Sequence, residues 1–154
     1  MVPTISRPET YTPVQVKVVD YSTHRADIHQ VRHRVFVCEQ HVPQALEVDA
    51  YDPLSIHVLA QWEGWAVGTG RLAPDGRIGR VAVAQPLRRR GVGRQVMEHL
   101  LEVALRQGHP RVVLSAQCHA IAFYEKLGFY TEGPVFEQMG IPHITMWKSL
   151  VKAS

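Results

Sequence analysis

The sequence is poor in cysteine and has no long apolar run. Its two cysteines, Cys38 and Cys118, lie far apart and form no C-x-x-C pair, so we expect no disulfide framework and infer a reducing, cytoplasmic environment. No apolar stretch approaches the roughly 18 residues that a membrane span requires, and no membrane association is expected. The N-terminal stretch MVPTISRPETYTPVQ lacks a basic segment followed by an apolar one, so no secretory signal is predicted.

Metal-binding patterns are also missing. His29 and His33 stand four residues apart in a predicted helix, but no H-E-x-x-H pattern and no set of further ligands accompanies them. We interpret the two histidines as part of a polar helix face and predict no metal.

What the sequence does contain is the composition of one ordinary globular domain. It has 154 residues, of which 45% are hydrophobic and 20% charged, and a chain of this size buries a substantial core. We therefore predict a single domain over residues 1–154. Pro3, Pro8 and Pro13 mark residues 1–13 as a loose N-terminal segment.

Positive charge is concentrated at one point of the chain. The formal net charge is +3, and four arginines lie in or beside the stretch RRRGVG: Arg88, Arg89, Arg90 and Arg94. Proteins that bind nucleic acids usually spread basic residues along a face, with aromatic residues between them. A compact anion fits this cluster better, so we expect no nucleic-acid partner, although nucleic acid stays open as the alternative.

Hydrophobic periodicity predicts a mixed α/β fold. The run VQVKVV (14–19) alternates as a strand does, and Ser22 or Thr23 is the predicted cap of a helix over residues 24–37. A long acidic, turn-rich segment follows, which we expect to be functional. Three short strands with tight turns then form an antiparallel meander, and from Val92 the apolar spacing becomes helical. The predicted order is β-α-β-β-β-α-β-α-β-β in one layered domain.

The stretch RRRGVG lies between a predicted strand and the helix that begins near Val92. A helix N-terminus offers unpaired N–H groups and the positive end of a dipole, and glycines let a phosphate approach that backbone. Guanidinium groups around the turn add donors that suit phosphate geometry. A Walker A loop would need Lys-Ser/Thr after Gly93, and a dinucleotide fingerprint would need a glycine in place of Val96, so neither fits. The sequence predicts a pyrophosphate site of another kind.

Two motifs resemble those of the GNAT acetyltransferase superfamily. The pattern Arg88-x-x-Gly91-x-Gly93, after the strand VAV, is similar to the family's acyl-CoA motif Q/R-x-x-G-x-G/A. The stretch AIAFYEKLGF (120–129) resembles the family's second cofactor segment, a short helix that presents a tyrosine and ends at Gly-Phe. The stretches VRHRVFVCEQHVP, LEVDAYD and MGIPHITMWK are similar to the ElaA-like branch of the family.

The resemblance implies a fold and an activity. The fold would be GNAT-like, with a central, mostly antiparallel sheet, a splayed parallel pair of strands and flanking helices. The reaction would transfer an acetyl or other acyl group from acetyl-CoA to an amine, by direct attack in a ternary complex and without a metal. Carried onto this sequence, the cofactor-binding residues are Val81, Ala82, Val83, Arg88, Arg89, Arg90, Gly91, Val92, Gly93, Arg94, Ala120 and Phe123.

By the same resemblance, Tyr124 takes the position of the general acid that protonates the departing thiolate. A phenol has an ordinary pKa of about 10 and a thiol one of about 8.5, so donation depends on favourable geometry in the transition state. The alternative is that Tyr124 packs in the core beside Phe123. A main-chain N–H near Val83 would polarise the thioester carbonyl.

The residue that deprotonates the acceptor amine is not identified by the sequence. Many relatives carry a glutamate on the strand before VAV, where this chain reads GRIGRVAV and has no carboxylate. Glu39 and His143 are favoured because they lie in the branch-like segments. The full set of candidates is Glu39, Glu47, Asp49, His57, Glu137 and His143.

The expected acceptor is a small-molecule or peptide amine. The acidic segment from Glu47 to Asp52 either attracts a cationic acceptor or is a solvated loop, and both interpretations stay open. The protein would be a monomer or a homodimer. A hypothesis of a different class also stays open: a non-catalytic domain that binds CoA or nucleic acid through the same basic turn.

Overall fold

The computed structural model describes residues 13–151, so the predicted loose segment over residues 1–13 lies almost wholly outside the described residues. The described chain forms two sheets, one of four strands and one of three, with helices packed against them. Between residues 13 and 151, no helix is long and apolar enough to cross a membrane.

The first helix begins earlier than the sequence predicted. Strand β1 (Gln15–Val19) leads directly into helix α1 (Tyr21–Arg32). The prediction that Ser22 or Thr23 caps this helix is wrong, because Asp20 is the cap. Its carboxylate accepts the Thr23 N–H at 3.0 Å and also the hydroxyls of Ser22 and Thr23. Asp20 thereby satisfies one of the amides that the first helical turn leaves without a partner.

Residues 33–54 contain more regular structure than the sequence predicted. Helix α1 continues into a π-helical segment (His33–Glu39), which is followed by a short helix α2 (Gln44–Glu47) and a 3₁₀ turn (Asp52–Leu54). The predicted apolar stripe of Ile28, Val31, Val35 and Phe36 is confirmed along this first helical stretch. The first three residues are buried, and Phe36 is partly buried and packs against the same cluster.

The predicted antiparallel meander is confirmed. Strands β2 (Ile56–Trp62), β3 (Trp65–Leu72) and β4 (Ile78–Val83) pair in sequence, and β1 pairs with β2, which gives the order β1-β2-β3-β4. Gly64 and Gly76 adopt positive φ at the two turns, as turn sequences of this kind require.

Helix α3 (Val92–Arg106) crosses one face of the first sheet. On its exposed side Arg94 Nε lies 2.8 Å from a Glu98 carboxylate oxygen. The predicted apolar face of this helix is confirmed, because every member of it is buried: Val92, Val96, Leu100, Val103 and Ala104.

The second sheet contains the last three strands. Strand β5 (Arg111–Gln117) is followed by helix α4 (Ile121–Glu125), β6 (Tyr130–Gln138) and β7 (Ile141–Ser149). Strand β7 lies between β5 and β6 and is antiparallel to both. The order of elements that periodicity predicted is therefore observed, with α2 as an addition.

Strands β4 and β5 form the splayed parallel pair. A single parallel bridge, between Arg77 and Val113, joins them. Beyond it β4 has a bulge in which Arg80 and Val81 stand opposite the single residue Gly70, and the φ of Arg80 is 53°. A bulge bends its strand and increases the local twist, so the two strands diverge. The predicted fold class, a mixed α/β fold with this splayed pair, is confirmed.

The first sheet separates two cores. On the side of α3, the buried residues join both sheets and include Leu72, Ile78, Leu100 and Leu114. On the side of α1, a smaller cluster includes Ile28, Leu59, Ala66 and Ala82. Because side chains alternate along a strand, a strand residue next to one of these buried residues faces the opposite side of the sheet.

The close approach of α3 to β3 at Gly70 generates a prediction about stability. A Cβ at Gly70 would lie 2.9 Å from both Leu100 Cδ1 and Val96 Cγ1, which are buried in the core. We expect Gly70→Ala to lower the free energy of unfolding by about 1–3 kcal/mol, because a packed core cannot absorb the extra methyl group. At Gly79 a Cβ would meet nothing within 4 Å. Urea unfolding of Gly70→Ala and the matched control Gly79→Ala tests this, and equal midpoints would contradict it.

Candidate functional site

A cleft of about 1090 Å³ opens where β4 and β5 separate. Its lining comes from β4, β5, β7, the start of α3, helix α4 and the π-helical segment. A volume of this size lies at the upper end of the range for small-ligand sites. The splay of the two strands therefore creates the site.

The basic turn forms one end of this cleft. Gly91 has a φ of 81° and precedes the first residue of α3, and no described side chain caps this helix. The first intrahelical bond runs from Gln95 N–H to the Gly91 carbonyl at 3.0 Å, so the amides of residues 92–94 have no helical partner. These amides and the helix dipole favour an anion at this end.

The structure places most of the predicted cofactor residues around this cleft. Val92 is buried in the core and offers only its main chain. Arg90 is exposed and is not among the residues that line the cleft in the described chain. The predicted residues that do line it are Val81, Ala82, Val83, Arg88, Arg89, Gly91, Gly93, Arg94, Ala120, Phe123 and Tyr124.

The Arg88 side chain is bound to protein groups. Its Nη1 and Nη2 atoms donate to the two carboxylate oxygens of Glu39 at 2.6 and 2.7 Å, and its Nε donates to the Val83 carbonyl at 2.9 Å. Bidentate pairs of this kind fix geometry strongly. In this structure Arg88 therefore connects β4 to the π-helical segment. Arg89 and Arg94 are further cationic side chains of this turn that line the cleft, and Arg94 uses Nε to pair with Glu98.

The free edge of β4 faces the gap toward β5. Ala84 N–H donates to the Val67 carbonyl of β3 at 2.8 Å, so the peptide groups of Val83 point to the opposite side. The bond from Arg88 Nε to the Val83 carbonyl agrees with that direction. Val83 N–H, and by alternation the peptide groups of Val81, are therefore available to a ligand that lies along the edge.

A network of arginines and carboxylates holds the bulge of β4. Arg80 Nε donates to the Glu47 carbonyl at 3.2 Å, and its Nη2 donates to the Leu46 carbonyl and an Asp49 carboxylate oxygen at 3.3 and 3.1 Å. Asp49 also receives two bonds of 2.7 Å from Arg71. Burial, and the charges of neighbouring arginines, lower the pKa of Arg80.

The same network neutralises the acidic segment. Arg32 pairs with Glu47 and, at 2.8 Å, with Asp52. Burial by itself would raise the pKa of Asp52, but hydrogen bonds and charge from Arg32 and Arg71 hold it well below the usual range. Because Glu47 and Asp52 are buried, the expectation of a solvated loop is wrong, and these carboxylates are already paired with arginines of the same chain.

Tyr124 lines the cleft and also packs against the main core, so both interpretations made from the sequence describe part of its position. Its ring makes edge contacts with Phe123 and Phe129 at centroid distances of 5.0 and 5.9 Å. Burial raises the pKa of Tyr124 to about 12. The hydroxyl is therefore protonated at neutral pH and is able to donate a hydrogen bond.

Gly93 allows the start of α3 to approach α4. A Cβ at this position would lie 3.3 Å from the Phe123 ring, so a larger residue would press on the aromatic side chain next to Tyr124. The second glycine of the motif thus sets the distance between the anion-binding turn and the helix that carries the tyrosine.

The two favoured base candidates both line the cleft but differ in their partners. Glu39 is held by Arg88 through both carboxylate oxygens. His143 Nδ1 lies 2.7 Å from the Ile141 carbonyl, and a carbonyl only accepts, so Nδ1 carries the proton. The neutral ring then has its lone pair on Nε2, which has no partner among the described residues. His143 is the better placed of the two to accept a proton.

The other base candidates are less suitable. Asp49 and His57 belong to the network beneath the cleft, where His57 Nε2 lies 2.8 Å from the Asp52 carbonyl. Glu137 is exposed on β6 and does not line the cleft within the described residues. Glu47 lines the cleft but is paired with Arg32.

Several site residues were not found by sequence reasoning. Gln40 and Gln117 exchange two amide hydrogen bonds of 3.2 and 2.9 Å and connect the π-helical segment to β5. Arg71 and Arg80 form the network beneath the cleft. Isolated polar residues such as these have no spacing that predicts a partner far away in the sequence. Strand alternation alone would place Arg71 and Arg80 on opposite faces of the sheet, and the bulge in β4 brings them to the same face.

Metal ligands and disulfides are not found in the part of the chain that the structure describes. No group of three His, Cys, Asp or Glu side chains there is arranged to hold a metal ion. Cys38 and Cys118 are free thiols. His29, one of the two histidines with helical spacing, is bonded to Glu47 and Tyr21.

The fold and site geometry define a class of protein, and comparison with known proteins agrees. The family model described as an acetyltransferase (GNAT) domain matches residues 9–150. The chain belongs to this family of acyltransferases, which use an acyl-CoA as cosubstrate.

Particular relatives can be named as well. ElaA of Escherichia coli strain K12 is 34% identical over 132 residues, which cover 80% of this chain and 86% of ElaA. The crystal structure of Escherichia coli ElaA has a TM-score of 0.80 at 30% identity, covering 89% of this chain and 100% of that one. An acyl-CoA N-acyltransferase from Pseudomonas aeruginosa has a TM-score of 0.78 at 31% identity, with 89% and 100% covered. ElaA is thus among the relatives of this chain, as the resemblance indicated.

The network beneath the cleft predicts how stability depends on pH. Burial lowers the pKa of His57 from its ordinary 6.5, and Nδ1 is buried without a partner. As the pH falls below about 6.5, the unfolded chain takes up this proton first, so the folded state loses stability. The carboxyl of Asp52, whose pKa is also lowered, adds a further loss below about pH 4.

The measurement is urea unfolding between pH 5 and 8. We expect His57→Gln to flatten the fall in unfolding free energy below about pH 6.5, because the titrating group is removed. His24→Gln serves as the control, since His24 is bonded through Nδ1 only to the Asp20 carbonyl. An unchanged slope in His57→Gln would show that His57 does not cause the pH dependence.

Proposed function

We propose that the protein is an acetyl-CoA-dependent N-acetyltransferase that transfers the acetyl group to an amine by direct attack in a ternary complex. The single observation that carries this proposal is the convergence of three features on one cleft. These are an uncapped helix start in a basic turn, an unpaired strand edge, and a protonated tyrosine. A module that only binds nucleic acid would require neither the unpaired strand edge nor the protonated tyrosine.

Acetyl-CoA is held by main-chain groups in this proposal. The pyrophosphate lies at the first-turn amides of α3, with Arg89 and Arg94 on the same side. The pantetheine arm pairs with the β4 edge at Val81 and Val83 in the manner of an added strand. Phe123 and Ala120 line the neighbouring wall.

The thioester carbonyl is polarised by Val83 N–H. This group points away from β3 into the cleft, as the bonds of Ala84 N–H and the Val83 carbonyl indicate. A fixed main-chain donor needs no reorganisation when negative charge develops on the carbonyl oxygen. The bulge at Arg80 bends β4 three residues earlier along the strand, and so contributes to the direction of this donor.

Tyr124 stabilises the departing thiolate. Its pKa of about 12 exceeds that of an ordinary thiol by roughly 3–4 units, so complete proton transfer would be uphill by about 5 kcal/mol. Tyr124 therefore acts mainly as a hydrogen-bond donor to sulfur, with the proton shared as the carbon–sulfur bond breaks. The acceptor amine loses its proton to His143 Nε2, directly or through water.

The anion site is tested by substitutions at Gly91. Asn and Asp both tolerate the left-handed backbone better than most residues do, and a Cβ at Gly91 would meet nothing within 4 Å. We expect Gly91→Asp to weaken acetyl-CoA binding by at least tenfold relative to Gly91→Asn, because a carboxylate would face the pyrophosphate. Calorimetry with acetyl-CoA measures the difference. Equal affinities of the two variants would remove the pyrophosphate from this turn.

The role of Tyr124 is tested by Tyr124→Phe, which keeps the ring packing and removes the hydroxyl. We expect kcat to fall about 10²–10⁴-fold, because the thiolate loses its donor, while the affinity for acetyl-CoA changes little. Release of free thiol from acetyl-CoA in the presence of an amine panel measures the rate. A normal kcat in Tyr124→Phe would show that the hydroxyl is not the acid. No release by the unaltered protein would favour the non-catalytic CoA-binding domain.

A further inference from the structure

We propose that the amine acceptor also carries an oxyanion group, a carboxylate or a phosphate, which binds at Arg77 with Ser115 and Arg80. This inference rests on the proposed function and names the class of its second substrate. It replaces the cationic acceptor that the acidic segment suggested.

The acceptor end of the cleft lies on the α1 side of the split sheet. Leu72, Ile78 and Leu114 are buried in the core on the side of α3. By alternation, their neighbours Arg71, Arg77 and Ser115 face the other way. Ser115 and Gln117 on β5 are paired with Thr145 and His143 on β7, so they share this face with His143.

Among the described residues, the carboxylates near this face are occupied, with one exception. Both oxygens of Glu39 bond to Arg88, Glu47 pairs with Arg32, and Asp49 pairs with Arg71 and Arg80. A cationic acceptor would have to break a guanidinium–carboxylate pair to reach any of them, which leaves a poorly solvated arginine behind.

The exception is Asp75, which lies in the turn before Arg77 and also lines the cleft. Its Oδ1 accepts the Arg77 main-chain N–H at 3.1 Å. It is exposed, so water competes for it. One exposed carboxylate, already bonded to main chain, is a weak site for a cation.

Open donors, in contrast, are present on this face. Arg77 is exposed, as Asp75 is, but Arg80 is partly buried and adds a second guanidinium group. The only side-chain bond of Arg77 in the described chain runs from Nη1 to Ser115 Oγ at 3.4 Å, and its guanidinium makes no ion pair there. Arg80 uses Nε and Nη2 for the network, which leaves Nη1 without a partner among the described residues. Both residues line the cleft. Two guanidinium groups with free N–H donors suit a planar carboxylate or a phosphate.

The positions along the strands give the acceptor an orientation. Arg77 marks the closed end of the gap, where it is bridged to Val113, whereas Gln117 and His143 lie at the open end of β5. Ser115 and Gln117 are two residues apart, or about 7 Å along the strand. An acceptor whose amine lies near His143 Nε2 can therefore reach the Ser115 and Arg77 end with its oxyanion.

The rest of the wall is apolar. Phe36, Met139 and Ile141 line the cleft, which suits an aliphatic or aromatic body between the two polar ends. The cleft of about 1090 Å³ must also hold the pantetheine arm, so the remaining space fits a small molecule.

The test compares acceptors that differ only in the oxyanion. Suitable pairs are tyrosine with tyramine, lysine with 1,5-diaminopentane, and O-phosphoethanolamine with ethanolamine, each assayed by thiol release from acetyl-CoA. We expect kcat/KM to favour the acidic member of at least one pair by about tenfold or more. The first two pairs report on a carboxylate and the third on a phosphate.

Substitutions at Arg77 then test whether this residue causes the preference for acidic acceptors. Arg77→Gln should reduce the acid-to-amine ratio of kcat/KM by about tenfold, and Arg77→Lys should retain part of it. Arg106→Gln is the matched control, because Arg106 is an exposed arginine near the far end of α3, where its one ion pair among the described residues is with Glu102. Circular dichroism checks that each variant folds.

The outcomes separate the two proposals. Transfer to amines with equal or better use of every decarboxylated or dephosphorylated partner would overturn the oxyanion inference and leave the N-acetyltransferase proposal standing. The same holds if Arg77→Gln and Arg77→Lys both keep the ratio of the unaltered protein. Acetyl-CoA binding without transfer to any amine would overturn both.

Discussion

The bulge at Arg80 is the constraint on which the cleft depends. Strands β4 and β5 run parallel and start with a bridge at Arg77, so without a disturbance they would continue as neighbours and close the sheet. The left-handed backbone of Arg80 is costly for a residue with a side chain, on the order of 1–3 kcal/mol. It persists because the same residue's guanidinium bonds to two carbonyls and a carboxylate of the segment around α2.

The need to hold the segment around α2 in place explains why charged side chains are buried beneath the site. Removing arginines and carboxylates from water is expensive, and such a network contributes little net stability over apolar packing. Its consequence here is geometric. Arg71 and Arg32 fix Asp49, Asp52 and Glu47, and these in turn fix the segment whose carbonyls hold Arg80. The network thus connects helix α1 to the bend of β4.

The sequence predicted the elements well and the side-chain network poorly. Periodicity placed α3 and the meander because an apolar face or an alternating strand repeats over many residues. The glycine turn was also predictable, since positive φ and close approach of a ligand leave few residue choices at Gly91. The pairing of the acidic segment was missed because local composition cannot distinguish a solvated carboxylate from one that meets an arginine elsewhere in the chain. Asp20 was missed as a cap because Ser22 and Thr23, its own bonding partners, are equally good capping residues.

Arg88 shows how one motif position joins the two halves of the site. In the proposed function, Gly91 and the helix amides hold the anion, so the arginine that opens the motif is available for another purpose. It donates to the Val83 carbonyl and to both oxygens of Glu39, which ties the end of β4 to the π-helical segment on the acceptor side. The family pattern that this chain resembles allows Gln or Arg here, and both side chains carry an N–H that can reach a main-chain carbonyl. Only arginine can also bind a carboxylate through two parallel bonds, so in this chain a single side chain holds strand β4 to the π-helical segment.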